Sequence, residues 1–256
     1  MIEKRLTPNF FSRYLLVSAF SLSGVFAQAA EIPAVLDWSG RVQLTLTVSG
    51  VLDNVSAQAG QIVKKGEMLA SLDPALFKAG VAENRADMDR LSEEHADAKR
   101  DLERVQELYA RTVASTTELD SAKLRFSRAS SGLAAAQARV EKARHLLAES
   151  ELRAPFDALI LVRHADPGLA ITSQCQPATV FTVARVDELV ARAQLDVAQA
   201  VDIHLGSVAE VSVAGVSLKG KVRSLSVNAD HRYTLEVTLP RGAGMLAGQS
   251  ATIRLP

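Results

Sequence analysis

From Phe77 to Tyr109 the chain repeats a polar and apolar pattern at alternating steps of four and three, through Phe77, Val81, Asn84, Met88, Leu91, His95, Ala98, Leu102, Val105 and Tyr109. A second series runs through Leu119, Ala122, Phe126, Ala129, Leu133, Ala136, Val140, Ala143, Leu147 and Ser150. Such steps return side chains to one face of an α-helix, so each series predicts a long helix with a narrow heptad seam. No Pro interrupts either series, and the connection from Thr112 to Thr117 is short enough to force antiparallel neighbours. The two arms, about 36 residues each, predict one helical hairpin roughly 54 Å long. Glu93, Glu94, Asp97, Lys99, Arg100 and Asp101 lie off the seam and read as a solvated face. Asn84 reads as a register-setting seam residue, and His95, with no second ligand at helical spacing, as a packing residue rather than a metal ligand.

The segments flanking the hairpin look like two copies of one unit. Setting Ala57-Gln58-Ala59-Gly60-Gln61-Ile62-Val63 against Ala165-Asp166-Pro167-Gly168-Leu169-Ala170-Ile171 brings Gly60 onto Gly168 and lays Val51 to Val55 over Leu159 to Arg163. Each copy reads as strand, Gly-containing turn, strand. Neither buries its apolar face alone, so pairing into a small sandwich is the expected solution.

From about Arg185 the pattern becomes alternating, with strands expected at Glu188 to Leu195, Ala209 to Val213, Lys219 to Val227, Thr234 to Leu239 and Ser250 to Leu255. Asp196 is placed to cap a short helix from Val197 to about Leu205, which Gly206 ends.

Composition adds exclusions. The 256 residues carry 29 Lys and Arg against 29 Asp and Glu, a balance without the broad basic footprint that nucleic-acid binding needs. With 5% aromatic residues, a large stacking platform is not expected. The lone Cys175 forms no internal disulfide and supplies no thiolate cluster; it reads as a structural small residue. There are no paired Cys and His ligands, no Gly-Xaa-Ser-Xaa-Gly elbow and no phosphate-cradling loop, and His145, His164, His204 and His231 are scattered. No catalytic, cofactor or metal site is expected, and the chain does not read as an enzyme. At the N-terminus, Lys4, Arg5 and Arg13 precede an apolar run from Tyr14 to Ala27 that closes on Ala27-Gln28-Ala29. This is the pattern of a secretory signal peptide cleaved before Ala30, and at about 14 residues the run is short for a permanent span.

A split biotinyl/lipoyl-like domain whose tip is replaced by a helical hairpin resembles the periplasmic adaptor subunits, or membrane fusion proteins, of tripartite efflux pumps, the HlyD-like superfamily. The resemblance rests on the half-motif Gly50 to Pro74, the return motif Arg153-Ala154-Pro155-Phe156-Asp157 and the heptads between them. Ala158 departs from the family, which usually carries Gly there. The tip lysine of true lipoyl carriers is missing, since Lys64 and Lys65 lie inside the first half.

The resemblance implies an elongated α+β chain in which a coiled-coil hairpin (75–151) is inserted in a split lipoyl-like domain (48–74 and 152–184). A β-barrel domain (185–256) follows, completed by an N-terminal strand near Arg41 to Val48 within residues 30–47, after a signal peptide at 1–29. It further implies a periplasmic adaptor, self-associated into a ring of six copies, a hexamer. The partners implied are an outer-membrane channel and an inner-membrane transporter of resistance-nodulation-division type, with an ATP-binding-cassette pump or type I protein secretion as alternatives. The cargo implied is small molecules or metals. Arg104, Leu108 and Ser115 reproduce the Arg-x3-Leu-x6-Ser spacing that resembles the adaptor motif for meeting the channel. A competing local role exists for Ser115, as the N-cap of a capping box with Glu118.

A cleaved signal predicts a mature N-terminus at or near Ala30 and release with soluble periplasmic contents. N-terminal sequencing of the exported protein checks this, and a membrane-bound product that retains residues 1–29 would contradict it.

Overall fold

A computed structural model describes residues 31–173, 178–228 and 231–255; the expected signal segment (1–29) and Cys175 lie outside the described residues. Helix α1 spans Ala75–Ala110 and α2 spans Thr116–Glu149, packed along each other as one antiparallel hairpin. The heptad register holds. All ten seam positions of α2 are buried or half-buried, and so are all those of α1 except Tyr109 at the tip, 41% exposed. His95 stacks on Phe126 of the other helix, with ring centroids 5.1 Å apart. Asn84 does not reach across the seam: its amide donates to the Gly80 carbonyl one turn back, at 2.7 Å. Register is tied by charge at the seam edge instead, where Arg139 meets Asp87 and Arg125 meets Asp101, both at 2.8 Å.

Eight short strands form the sandwich: β2 (Val42–Thr45), β3 (Gly50–Val55), β4 (Ile62–Val63), β5 (Met68–Leu72), β6 (Glu151–Arg153), β7 (Ala158–Arg163), β8 (Ala170–Ile171) and β9 (Thr179–Arg185). One sheet has the order β2-β9-β7-β4 and the other β6-β5-β3-β8, so each sheet takes two strands from either side of the hairpin. An offset of 108 residues relates the halves: Gly50 pairs with Ile171 as Ala158 pairs with Val63. Leu52 donates to the Leu169 carbonyl and Ile160 to the Gln61 carbonyl, both at 2.9 Å, while Gly60 and Gly168 donate back to Ile160 and Leu52 at 2.8 and 2.7 Å. Both glycines have positive φ (86° and 90°), a conformation that carries little penalty without a Cβ. The buried pairs Leu52/Ile160, Ala57/Ala165 and Val63/Ile171 fill equivalent places in one core. Ala158 is fully buried where its mate is Gly50; a Cβ on Gly50 would sit 3.1 Å from Leu72 Cδ1, so a methyl there would require the Leu72 side chain to shift.

The same symmetry explains why the strand near Arg41 to Val48 does not complete the barrel. Leu44 and Leu46 are the mates of Leu152 and Ala154, all four side chains face the sandwich core, and β2 pairs with β9. The barrel takes its N-terminal strand from upstream: β1 (Glu31–Trp38) buries Ile32, Ala34 and Leu36 in alternation. With β10 (Glu188–Leu195), β11 (Val208–Val213), β12 (Val216–Val227), β13 (Tyr233–Pro240) and β14 (Ser250–Arg254) it closes in the order β1-β10-β13-β12-β11-β14. Closure leaves the barrel no free edge. Where β12 crosses β13, a Cβ on Gly220 would lie 2.6 Å from Val237 Cγ1, so only Gly fits that approach. The helix after Asp196 is a single turn, α3 (Val197–Ala200), shorter than expected because Ile203 leaves the helical path to pack on the barrel core.

The hairpin springs from paired strands. Leu72 donates to the Ser150 carbonyl at 2.9 Å, Ser150 is buried with its hydroxyl on the Leu147 carbonyl at 2.6 Å, and Phe77 packs on the sandwich core. The return motif grips the first half: Asp157 accepts from Lys64 Nζ and from the Lys65 amide, each at 2.9 Å, and Arg153 donates to the Gly66 carbonyl at 2.8 Å. The Lys64 ammonium beside it holds the Asp157 carboxyl below its ordinary range, helped by the Lys65 amide.

Val140 is 2% exposed and Glu93 fully off the seam. Val140→Asp should therefore lower stability by about 3 kcal/mol or more through an unpaired buried charge, and Glu93→Lys by less than about 0.5 kcal/mol. Melting followed by circular dichroism checks this, and equal effects at the two sites would refute the seam register.

Candidate functional site: the hairpin tip

Helix α1 ends in a tight turn that its own carbonyls close. The Leu108 carbonyl accepts from the amides of Val113 and Ala114 at 2.9 and 3.3 Å, and the Tyr109 carbonyl from Thr112 at 2.9 Å. Thr112 turns the chain at φ 62°, a left-handed conformation that a β-branched side chain adopts only under strain. The turn projects Val113 into solvent, 71% exposed. Ser115, extended at φ −82°, then starts α2: its hydroxyl accepts from the Glu118 amide at 3.2 Å while its own amide donates to Glu118 Oε2 at 2.7 Å. These two bonds form a capping box and satisfy backbone donors that the helix start leaves open. The Ser115 amide and hydroxyl hold the Glu118 carboxyl below its ordinary value.

Arg104 and Leu108 lie one turn apart on α1, and Ser115 sits across the tip turn. Both α1 side chains are exposed, Arg104 by 72% and Leu108 by 38%. Arg104 is not a free cation: its guanidinium donates to Asp101, only 20% exposed, whose other oxygen takes Arg125 of α2 at 2.8 Å. Asp101 and Arg125 are the members of this surface that sequence reading missed. Their signal was present as an acidic residue three before Arg104, but the partner on α2 becomes visible only once the register is known. Glu94, Asp97, Ala98 and Arg100 continue the same face as the wall of an open groove of about 570 Å³.

Elsewhere several titratable groups are engaged locally. Lys64 is ion-paired to Asp157, and His164 and His204 bond Thr182 and the Asp202 carbonyl. Among the described residues no three His, Cys, Asp or Glu side chains converge on a metal-sized site, and no helix is long and apolar enough to cross a membrane.

Ser115→Ala should destabilise the hairpin tip by about 1 kcal/mol through loss of the cap. Because the folded-state pKa of Glu118 is lowered, its contribution is complete above the ordinary value of 4.5 and lost as pH falls through the depressed one. Amide hydrogen exchange at residues 113–119 should accelerate in Ser115→Ala at neutral pH; unchanged protection would mean the box does not hold the turn.

Residues 41–185 match the CzcB-like, barrel-sandwich hybrid domain family. The chain is 33% identical over 126 residues to the multidrug resistance protein MdtA of Escherichia coli, covering 49% of this chain and 30% of that relative, so it spans about a third of the relative's length. In fold it is similar to a MacA–MexA chimera carrying the Pseudomonas aeruginosa MexA α-hairpin (TM-score 0.69, 18% identity, 89% of this chain and 81% of the other). It is also similar to a membrane fusion protein of Streptococcus pneumoniae (TM-score 0.62, 14% identity, 89% and 98%). A sandwich split by a long hairpin and joined to a closed barrel, together with the family match across residues 41–185, establishes that the chain belongs to the CzcB-like, barrel-sandwich hybrid domain family.

Proposed function

We propose that the protein serves in the periplasm as the adaptor of a tripartite efflux assembly, linking an inner-membrane transporter to an outer-membrane channel so that cargo leaves through a continuous conduit. The observation that carries this is the tip. At the end of two helices of 36 and 34 residues, Arg104, Leu108 and Val113 face solvent and are not spent on packing the helices together. A hairpin that only stabilised the sandwich would need neither this length nor a strained turn that displays an apolar side chain. The printed name of the Escherichia coli relative, a multidrug resistance protein, supports export of small molecules as the task. Energy would come from the transporter, read here as of resistance-nodulation-division type.

A ring of copies, six by the resemblance, fits the packing of α1. None of its residues is fully buried within the hairpin, so its apolar stripe has surface left for a neighbouring copy. In this reading Arg104, Leu108 and Ser115 form the contact with the channel, Arg104 by charge-assisted hydrogen bonds and Leu108 by entering an apolar groove, with Ser115 bonding at the turn in addition to its capping role.

Leu108→Asp and Arg104→Asp should leave helicity and melting nearly unchanged yet abolish cross-linking to the outer-membrane channel, with loss of drug or metal tolerance at normal protein abundance. Full cross-linking and full export by both variants would show that the tip does not dock.

A further inference from the structure

The ion-pair arrangement at the tip occurs twice on the hairpin, and the two copies differ at one residue. At mid-hairpin Asp87 takes Arg90 of its own helix at 2.7 Å and Arg139 of α2 at 2.8 Å. Two heptads nearer the tip, Asp101 takes Arg104 of its own helix and Arg125 of α2, the latter at 2.8 Å. Every member moves by 14 positions, forward on α1 and backward on α2, as antiparallel pairing requires. In the inner copy a fourth member closes the set: Arg90 also donates to Glu94, four residues on. The position four residues after Arg104 is Leu108. Two guanidiniums thus share two carboxylates in the inner set and one carboxylate in the outer. The neighbouring charges do not close it: Arg100 pairs with Asp97, Lys99 with Glu103, Glu94 is engaged by Arg90, and Glu107, three residues after Arg104, makes no ion pair with it, just as its counterpart Glu93 makes none with Arg90.

We infer that the outer set is an open copy of a structural clamp, in which Asp101 and Arg125 position Arg104 and the missing carboxylate at 108 is supplied by the docking partner. This rests on the reading of the tip as the docking surface and adds the chemistry of what docks: an acidic side chain of the outer-membrane channel, set beside an apolar contact that receives Leu108. The structure favours that pairing because a guanidinium held from one side by Asp101 keeps its other N–H donors directed outward in a fixed orientation, which suits fork-like recognition of a carboxylate. Leu108 leaves the fourth place empty and offers an apolar neighbour to whatever fills it. Asp101 and Arg125 are positioning residues here and need not touch the partner.

The test uses the full-length protein and the purified outer-membrane channel of its own host in detergent. Leu108→Glu rebuilds the inner set at the tip, so the variant should melt at or above the wild-type temperature yet bind the channel about fivefold or more weaker, with a reduced dependence on salt. Leu108→Gln, similar in shape but uncharged, should lose the apolar contact while keeping the wild-type salt dependence. Asp101→Asn should weaken channel binding, whereas Asp87→Asn, the same change in the closed copy, should cost similar stability and leave binding unchanged. Equal salt dependence in Leu108→Glu, Leu108→Gln and wild type, or equal binding by the two Asp→Asn variants, would overturn the inference while leaving tip docking intact. If Arg104→Asp itself bound like wild type, the docking reading would fail first. A carboxylate supplied by a neighbouring copy would show as a change in self-association of Leu108→Glu with channel binding preserved, and would also overturn it.

Discussion

Leu52 and Ile160 stand 108 positions apart, and each exchanges a pair of backbone hydrogen bonds with the glycine turn of the opposite half of the sandwich. Neither half has a sheet of its own: every sheet holds two strands from each side of the hairpin. The core centred on Phe181, Leu69 and Leu72 therefore forms only when both halves are in place. Closing a chain over an inserted segment this long costs loop entropy, growing slowly with length. The hairpin narrows the gap that must be closed, because α1 packed against α2 holds Leu72 and Ser150 at hydrogen-bonding distance, 2.9 Å. The sandwich in turn fixes the root from which the hairpin projects.

Along the hairpin, stability and display are divided between the two helices. Helix α2 buries Ala122, Ala136, Val140 and Ala143, small residues that let the helices approach closely, whereas α1 buries none of its residues completely. Exposed ion pairs within one helix contribute little each. The cross-helix pairs at Asp87 and Asp101 matter more for register than for energy, since a slip of one residue would break both at once. At the far end, strain at Thr112 is held by the Leu108 carbonyl on one side and the Ser115 capping box on the other. A turn so constrained presents Leu108 and Val113 at low entropic cost to a partner, which is what the proposed adaptor role asks of it.

Much of this was legible before any coordinates. Heptad spacing located the hairpin and its seam because a coiled coil has one dominant period, and the matched turns at Gly60 and Gly168 revealed the duplicated sandwich because each requires a positive φ. What could not be read was partnership. The strand near Arg41 to Val48 reads as a barrel strand but belongs to the sandwich, for Leu44 and Leu46 alternate as well in a barrel as in a sandwich. Strand β1 lies within the range 30–47 expected to hold the barrel's N-terminal strand, but upstream of the Arg41 to Val48 segment singled out for it. The Asp101 clamp escaped because its third member lies on the other helix. Asn84 misled in a small way: a polar seam residue can set register, but here its amide bonds its own helix. The tip motif itself came from resemblance, not from periodicity, and spacing alone leaves Ser115 equally suited to capping.

Electron cryomicroscopy of the protein assembled with its transporter and outer-membrane channel tests the adaptor role most directly. The role predicts hairpin tips, with Leu108 and Arg104 at their ends, seated on the periplasmic mouth of the channel, and sandwich and barrel stacked below toward the transporter. Hairpins directed at the transporter, or tips free of the channel in a complete and active assembly, would contradict it.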